Sequence, residues 1–330
     1  MKIFRAEPSH QHHLYDDKIG LVDSLFIRGE RQKTGFNLRM FNEDFSRLFR
    51  SASYGNGNLF ELVTSNEELT KKLFGSVITR SARLSVGELI HKFVEEIAKS
   101  LIWFGSAYYF LYDDETQKEI NIASLSSSGV VNLFGTYVQW VPKRTQRHLD
   151  RDNEKLPREI RILNVAKLMC FDMPTSIKCI LSRQNQILAT LDNHMHNETN
   201  FFPRATHENP NPTNNFDFSV WKNNQERALY RATQGSGWNG REYDSPKCSD
   251  FFDCHRLIRF RRNQLMLRDD ILKQLSSELS RVGKSYEAEF SVEISSTDKL
   301  PSVENLNELE AKLSREEIGF NEVLDYCYKC

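Results

Sequence analysis

No run of about 18 consecutive apolar residues occurs in this 330-residue chain, so it offers no candidate membrane-spanning helix. The first residues mix histidine and acidic groups instead of a basic start and an apolar stretch, and the chain is expected to be cytoplasmic, not exported and without a membrane partner. Neither sign of charge prevails: 44 basic side chains face 45 acidic ones, for a net charge of -1. Bulk attraction to nucleic acid is therefore not expected, and any such contact must come from a local patch. Cysteine is sparse, with six residues at 170, 179, 248, 254, 327 and 330 in a chain long enough to build a real core. That usage points to a reduced compartment. Catalytic signatures are missing too: there is no nucleophile elbow, no His-Arg-Asp or Asp-Phe-Gly arrangement, and no His-Glu-x-x-His. The carboxylate pairs Asp113/Asp114, Asp269/Asp270 and Glu316/Glu317 read as turn or surface charges. No catalytic residue, cofactor or metal site is expected, and the Cys327 and Cys330 pair is half a zinc motif that nothing completes.

What is present is most informative between Glu88 and Asp114. Leu89, Phe93, Ile97, Leu101 and Phe104 fall at helical spacing, and Gly105 stands where a left-handed cap is cheapest. The run Ala107-Tyr108-Tyr109-Phe110-Leu111-Tyr112 then reads as a buried strand closed by Asp113, Asp114 and Glu115. Ile120 to Leu125 alternates apolar and polar residues and predicts the second strand of a hairpin.

This order of helix, glycine, aromatic strand, acidic turn and strand resembles the wing region of tailed-phage portal proteins. The phrases that carry the likeness are Gly105-Ser106-Ala107-Tyr108-Tyr109 and Leu125-Ser126-Ser127-Ser128-Gly129-Val130-Val131. Asn164 to Phe171 looks like the short strand before the portal stem, and Phe290 to Ile294, Asn305 to Leu309 and Ser314 to Val323 look like a portal C-terminus. The resemblance covers about two thirds of the chain in pieces. It implies a shortened portal-like subunit in a homo-oligomeric ring of about a dozen copies around a duplex-DNA channel, with a terminase or other phage assembly proteins docking on it and no catalysis. A virion location follows for a true portal. A host or satellite protein that senses or obstructs phage assembly fits the same residues.

The fold class expected is α+β and mostly helical: a portal-like wing, small β-hairpins and one long helix. Four consecutive parts are expected. Residues 1–50 form an N-terminal arm, with His10, His12 and His13 in solvated sequence, and 51–175 form the wing-like segment. Residues 176–250 form a stem- and clip-like part, a helix followed by an Asn- and Pro-rich loop, and 251–330 form the long helix with a small α/β C-terminal segment.

From Phe251 a heptad runs through Ile258, Leu265, Leu272 and Leu279, beside a second seam of Cys254, Arg261, Arg268, Leu275 and Val282. About 30 residues of helix span roughly 45 Å, enough to cross a domain or reach a neighbouring subunit. Arg261 and Arg268 interrupt the apolar seam. Phe251, Ile258, Arg261, Leu265, Arg268 and Leu272 are therefore the expected subunit interface. Arg256, Arg259 and Arg262 are candidates for nucleic-acid contact through phosphate, or for pairing with carboxylates of an adjacent subunit, and the near-zero net charge favours the subunit. Gly235, Gly237 and Gly240 have the spacing of a phosphate-binding loop but lack its strand and its Lys, so they predict a turn that orients Trp238. The competing class is a nucleic-acid-processing or metal-dependent enzyme. It would draw on His194, His196, His207, Glu198 and Glu208 of the loop with Cys248, Cys254 and His255.

Overall fold

The computed structural model describes residues 2–8, 21–27, 35–49, 59–77, 85–114, 119–146, 154–196, 226–240 and 251–328. In chain order the first elements are β1 (Lys2–Ala6), α1 (Leu21–Phe26), α2 (Phe36–Ser46), β2 (Phe60–Thr64), α3 (Glu67–Val77) and α4 (Val86–Phe104). Next come β3 (Ser106–Asp114), β4 (Glu119–Leu125), β5 (Val130–Leu133), β6 (Thr136–Val141), β7 (Arg144–Gln146) and β8 (Glu154–Leu156). They are followed by β9 (Glu159–Leu163), β10 (Leu168–Asp172) and α5 (Thr175–His196). A helical segment at 226–232 precedes α6 (Phe251–Gly283), β11 (Val292–Ser296), α7 (Val303–Ser314) and α8 (Phe320–Tyr328). The class is α+β and mostly helical, with small sheets and one long helix, as the sequence predicts.

Two compact units emerge, each built from separated pieces of chain. The first comprises Met1–Gln32, Tyr54–Met173 and Arg268–Thr297; the second comprises Lys33–Ser53, Pro174–Leu267 and Asp298–Cys330. The division is discontinuous. Helix α6 supplies residues to both units.

In the first unit, α4 begins with a capping box: the Ser85 side chain accepts from the Glu88 N–H, and the Glu88 carboxylate accepts from the Ser85 N–H. The helix ends at Gly105, which takes φ +81° while its N–H donates to Leu101 O. A Cβ there would meet nothing within 4 Å, so the dihedral alone selects glycine. Strand β3 then leaves the cap and pairs antiparallel with β4 on one side and β10 on the other. It is buried on both faces, which explains a continuous aromatic run where alternation would mark a half-exposed strand. Tyr109 packs edge-on against Phe93 of α4 at 4.7 Å and against Phe171 of β10 at 5.8 Å. Tyr108 and Phe110 join Leu125, Val130, Leu163 and Leu168 in the opposite core.

The far edge of β10 is paired with side chains of α6 instead of another strand. Glu278 accepts from the Cys170 N–H at 3.2 Å, and Gln274 both accepts from the Asp172 N–H and donates to the Asp172 carbonyl. Arg281 donates to the carbonyls of Val165, Ala166 and Leu168. On β11, which pairs with β2, Ser276 and Ser280 accept from the N–H groups of Ile294 and Val292. One helix thus satisfies strand-edge groups that would otherwise invite foreign pairing.

A four-stranded sheet of order β1-β9-β6-β5 completes the first unit, with β1 and β9 parallel and the other pairs antiparallel. The β5–β6 hairpin turns at Phe134 and Gly135, both with positive φ (+50° and +87°), and the Asn132 side chain accepts from the Gly135 N–H at 2.9 Å.

In the second unit, α2 is secured at both ends by distant side chains. At its start, Asp192 of α5 accepts from the Asn37 side chain at 2.8 Å and from the Leu38 N–H at 3.0 Å, supplying the cap that Gly35 cannot. Such a cap contributes about 1 kcal/mol. At its end, the Gln264 amide donates to the carbonyls of Asp44, Phe45 and Arg47. Between these anchors Phe41 and Phe45 are fully buried against Phe260.

Candidate functional site: the arginine-bearing face of the long helix

The heptad positions of α6 are buried by the chain itself. Ile258 and Leu265 lie in a core with Cys254, Leu257, Leu306, Leu313, Val323 and Cys327, and Phe251 packs at its margin. Leu272, Leu275, Leu279 and Val282 are equally buried. This corrects the expectation of a subunit interface along Phe251, Ile258, Arg261, Leu265, Arg268 and Leu272. The apolar seam is filled from within because α7 and α8 fold back onto the first half of the helix.

The two seam arginines follow the same rule. Arg261 and Arg268 rank among the largest fully buried side chains, at 1% exposure each. Arg261 donates to Gln264, the residue that closes α2, and Arg268 pairs with Asp269 at 2.7 Å. Buried arginine needs such partners, because an uncompensated charge in a core costs several kcal/mol.

The three arginines read as candidates for phosphate contact have different surroundings. Arg256 is buried, donates to Tyr230 O, Thr233 Oγ1 and Trp238 O at 2.7 to 2.9 Å, and lies 4.1 Å above the Tyr230 ring. Arg262 pairs with Glu310 of α7. Arg259 alone of the three is exposed, and it donates to Gln234 O at 2.8 Å. These guanidiniums knit α6 to the turn at 233–240 and to α7.

That turn behaves as predicted for the glycine-rich segment. Gly237 has φ +79°, and a Cβ on it would lie 2.3 Å from Arg256 O. The close approach lets Trp238 reach full burial, where its Nε1 donates to Asp44 at 3.0 Å. Its ring meets Phe41 edge-on at 5.6 Å. Gly237 serves tryptophan placement.

His255, weighed as a metal ligand, has its Nδ1 3.2 Å from Glu310. Burial works against ionisation of Glu310, yet hydrogen bonds from Arg262 and His255 outweigh it and hold the carboxyl below its usual range. Burial pushes the Cys170 thiol up to about 11, so it stays protonated at neutral pH. Among the described residues no group of three or more His, Cys, Asp or Glu could hold a metal ion. His207, Glu198, Glu208, Cys248, Cys330 and the N-terminal histidines lie outside the described residues, and His194 and His196 fall in the last turn of α5. No described helix is long and apolar enough to cross a membrane.

Sequence reasoning missed Asp44 and Glu310, whose carboxylates receive Trp238 and Arg262, Gln264 on the long helix, which closes α2, and Asp192, which caps α2. Their composition is unremarkable, and only their separation in sequence from the groups they satisfy makes them informative.

No family model matches the chain, and no curated protein matches it. Solved structures whose chains align with it include two assemblies. One is the virion of a native gene transfer agent particle, at 12% identity and a TM-score of 0.43, covering 88% of this chain and 91% of that one. The other is the neck of an empty gene transfer agent particle computed with C6 symmetry, also at 12% identity and a TM-score of 0.43, covering 88% of this chain and 90% of that one.

Proposed function

We propose that this chain is a structural subunit of a phage-like particle, of portal type. Copies of it form a ring around a duplex-DNA channel on which a terminase or another assembly protein docks, and the ring itself performs no catalysis. A virion component and a host or satellite protein that obstructs assembly are two settings for the same ring. The observation that supports the reading is the order of elements: α4, the left-handed Gly105, the β3–β4 hairpin, β10, α5, α6, β11 and two short helices. That is the succession in which the portal-like phrases occur along the sequence. A scaffold also fits a chain whose conspicuous arginines hold its own main chain and carboxylates.

Sedimentation velocity on the purified chain tests the proposal. A species many times the 38.5 kDa chain mass is expected, alone or with an assembly partner. A strict monomer under both conditions overturns it.

A further inference from the structure

Arg39 and Arg315 are exposed arginines that pair with nearby acids, Glu43 and Glu317. Four others, all in the second unit, do not. Arg183 on α5, Arg227 and Arg231 on the helical segment at 226–232, and Arg259 on α6 are exposed, and among the described residues none of the four takes part in an ion pair. The local sequence withholds acids from them. Asp192 is the one carboxylate of α5, and it is buried while capping α2. Glu226, the carboxylate of the 226–240 stretch, is half-buried and has a partner of its own. One turn from Arg259, α6 carries His255, Arg256, Arg262 and Asn263, with no acid among them.

The main chain that carries these arginines is fixed. Gln184, next to Arg183, donates to Ala232 O at 3.1 Å, Arg256 donates to Tyr230 O at 2.9 Å, and Arg259 itself donates to Gln234 O at 2.8 Å. The carbonyls on either side of Arg231 are thus tied, one to α5 and one to α6, and the three elements form one platform. Tyr230 is exposed at the surface of this platform, with the Arg256 guanidinium 4.1 Å from its ring. Cations set on a fixed backbone lose little freedom when they meet a partner.

We propose that this platform binds the phosphate backbone of duplex DNA through Arg183, Arg227, Arg231 and Arg259. In a chain of net charge -1, four guanidiniums without carboxylates on adjoining elements are a local excess of positive charge, which a polyanion neutralises. The exposed side chains among them include Gln186, Gln234 and Tyr230, which are further hydrogen-bond donors to phosphate oxygen. Contacts of this kind carry no base readout, so binding is alike on all sequences. The choice of duplex DNA among polyanions rests on the ring reading above, for which the platform supplies the residues that face the channel's contents.

Fluorescence anisotropy of the full chain with a labelled duplex of about 30 base pairs, across about 50 to 200 mM salt, tests the contact. Each lost phosphate contact removes about 0.9 from the slope of log K against log salt, so Arg183→Gln, Arg227→Gln and Arg231→Gln combined should flatten it by about 2.7. Affinity at the low-salt end should fall at least about 10-fold. The same three positions changed to lysine keep the charge and should keep the slope, which separates loss of charge from loss of fold. Arg315→Gln, on an exposed arginine outside the platform, should leave the slope as in the wild type. An unchanged slope in the glutamine triple, an equal loss in Arg315→Gln, or equal affinity for polyglutamate overturns the contact. Rings that form and bind no duplex keep the ring and overturn the contact. A monomer that binds duplex with the expected changes of slope keeps the contact and overturns the ring.

Discussion

Asp23 and Arg158 lie 135 residues apart in sequence, yet the Asp23 carboxylate receives two hydrogen bonds from the Arg158 guanidinium. The Arg158 hydrogen bond holds the Asp23 carboxyl below its ordinary value, against the opposing effect of burial. The folded pKa is depressed, so the pair's contribution is fully present above the unfolded value of about 3.9 and is lost as pH falls through the folded value. Acid titration followed by Trp140 fluorescence should therefore show α1 releasing only below the usual aspartate range. Asp23→Asn should remove that dependence and lower the thermal midpoint; an unchanged acid transition would show that the pair does not hold α1.

Gly105 sets the direction in which β3 leaves α4. Gly105→Val should destabilise the chain by about 1–3 kcal/mol and Gly105→Asn by less, because only the dihedral is strained and no neighbouring atom obstructs a side chain. Urea denaturation of the three forms gives the ranking. Equal stability of the valine form would place the end of the helix elsewhere.

The 233–240 turn offers an internal control. Gly237→Ala drives a methyl group into Arg256 O and should cost more than about 3 kcal/mol, whereas Gly235→Ala meets nothing within 4 Å and should be within about 0.5 kcal/mol of wild type. Calorimetry of the pair distinguishes close approach from a general need for glycine in the turn.

The junction at Gly105 and the aromatic strand after it were legible because two periods, 3.6 and a continuous buried run, meet at a residue that only a left-handed cap explains. Trp238 was legible as the object of its turn for the same kind of local reason. The role of α6 was not. Arg261 and Arg268 break an apolar seam, and an interior site for arginine is rare enough that a second subunit looked like the simpler destination. What reverses that reading is the return of α7 and α8 over the helix, together with partners such as Gln264 and Asp269. Asp192 capping α2 is similarly invisible, since a cap 155 residues away leaves no spacing signal. The anchoring of α1 appears only once Trp140 and Arg158 stand beside Asp23.

The arginines of α6 should separate under mutation. Arg256→Gln loses three hydrogen bonds in a buried setting and should cost roughly 3 kcal/mol, seen as a lower urea midpoint. Arg259→Gln, at an exposed position, should leave stability within about 0.5 kcal/mol of wild type. If DNA binds this face, Arg259→Gln is the change that reduces affinity alike on all sequences and flattens its salt dependence, since each lost phosphate contact removes counterion release. Fluorescence anisotropy across a salt series measures this.

The central claim is a ring. Electron microscopy of the purified chain, with class averages viewed along the symmetry axis, tests it most directly. The account predicts closed rotationally symmetric particles with a central opening wide enough to pass duplex DNA. Particles of single-chain size at every concentration, or assemblies without an axial opening, would contradict it.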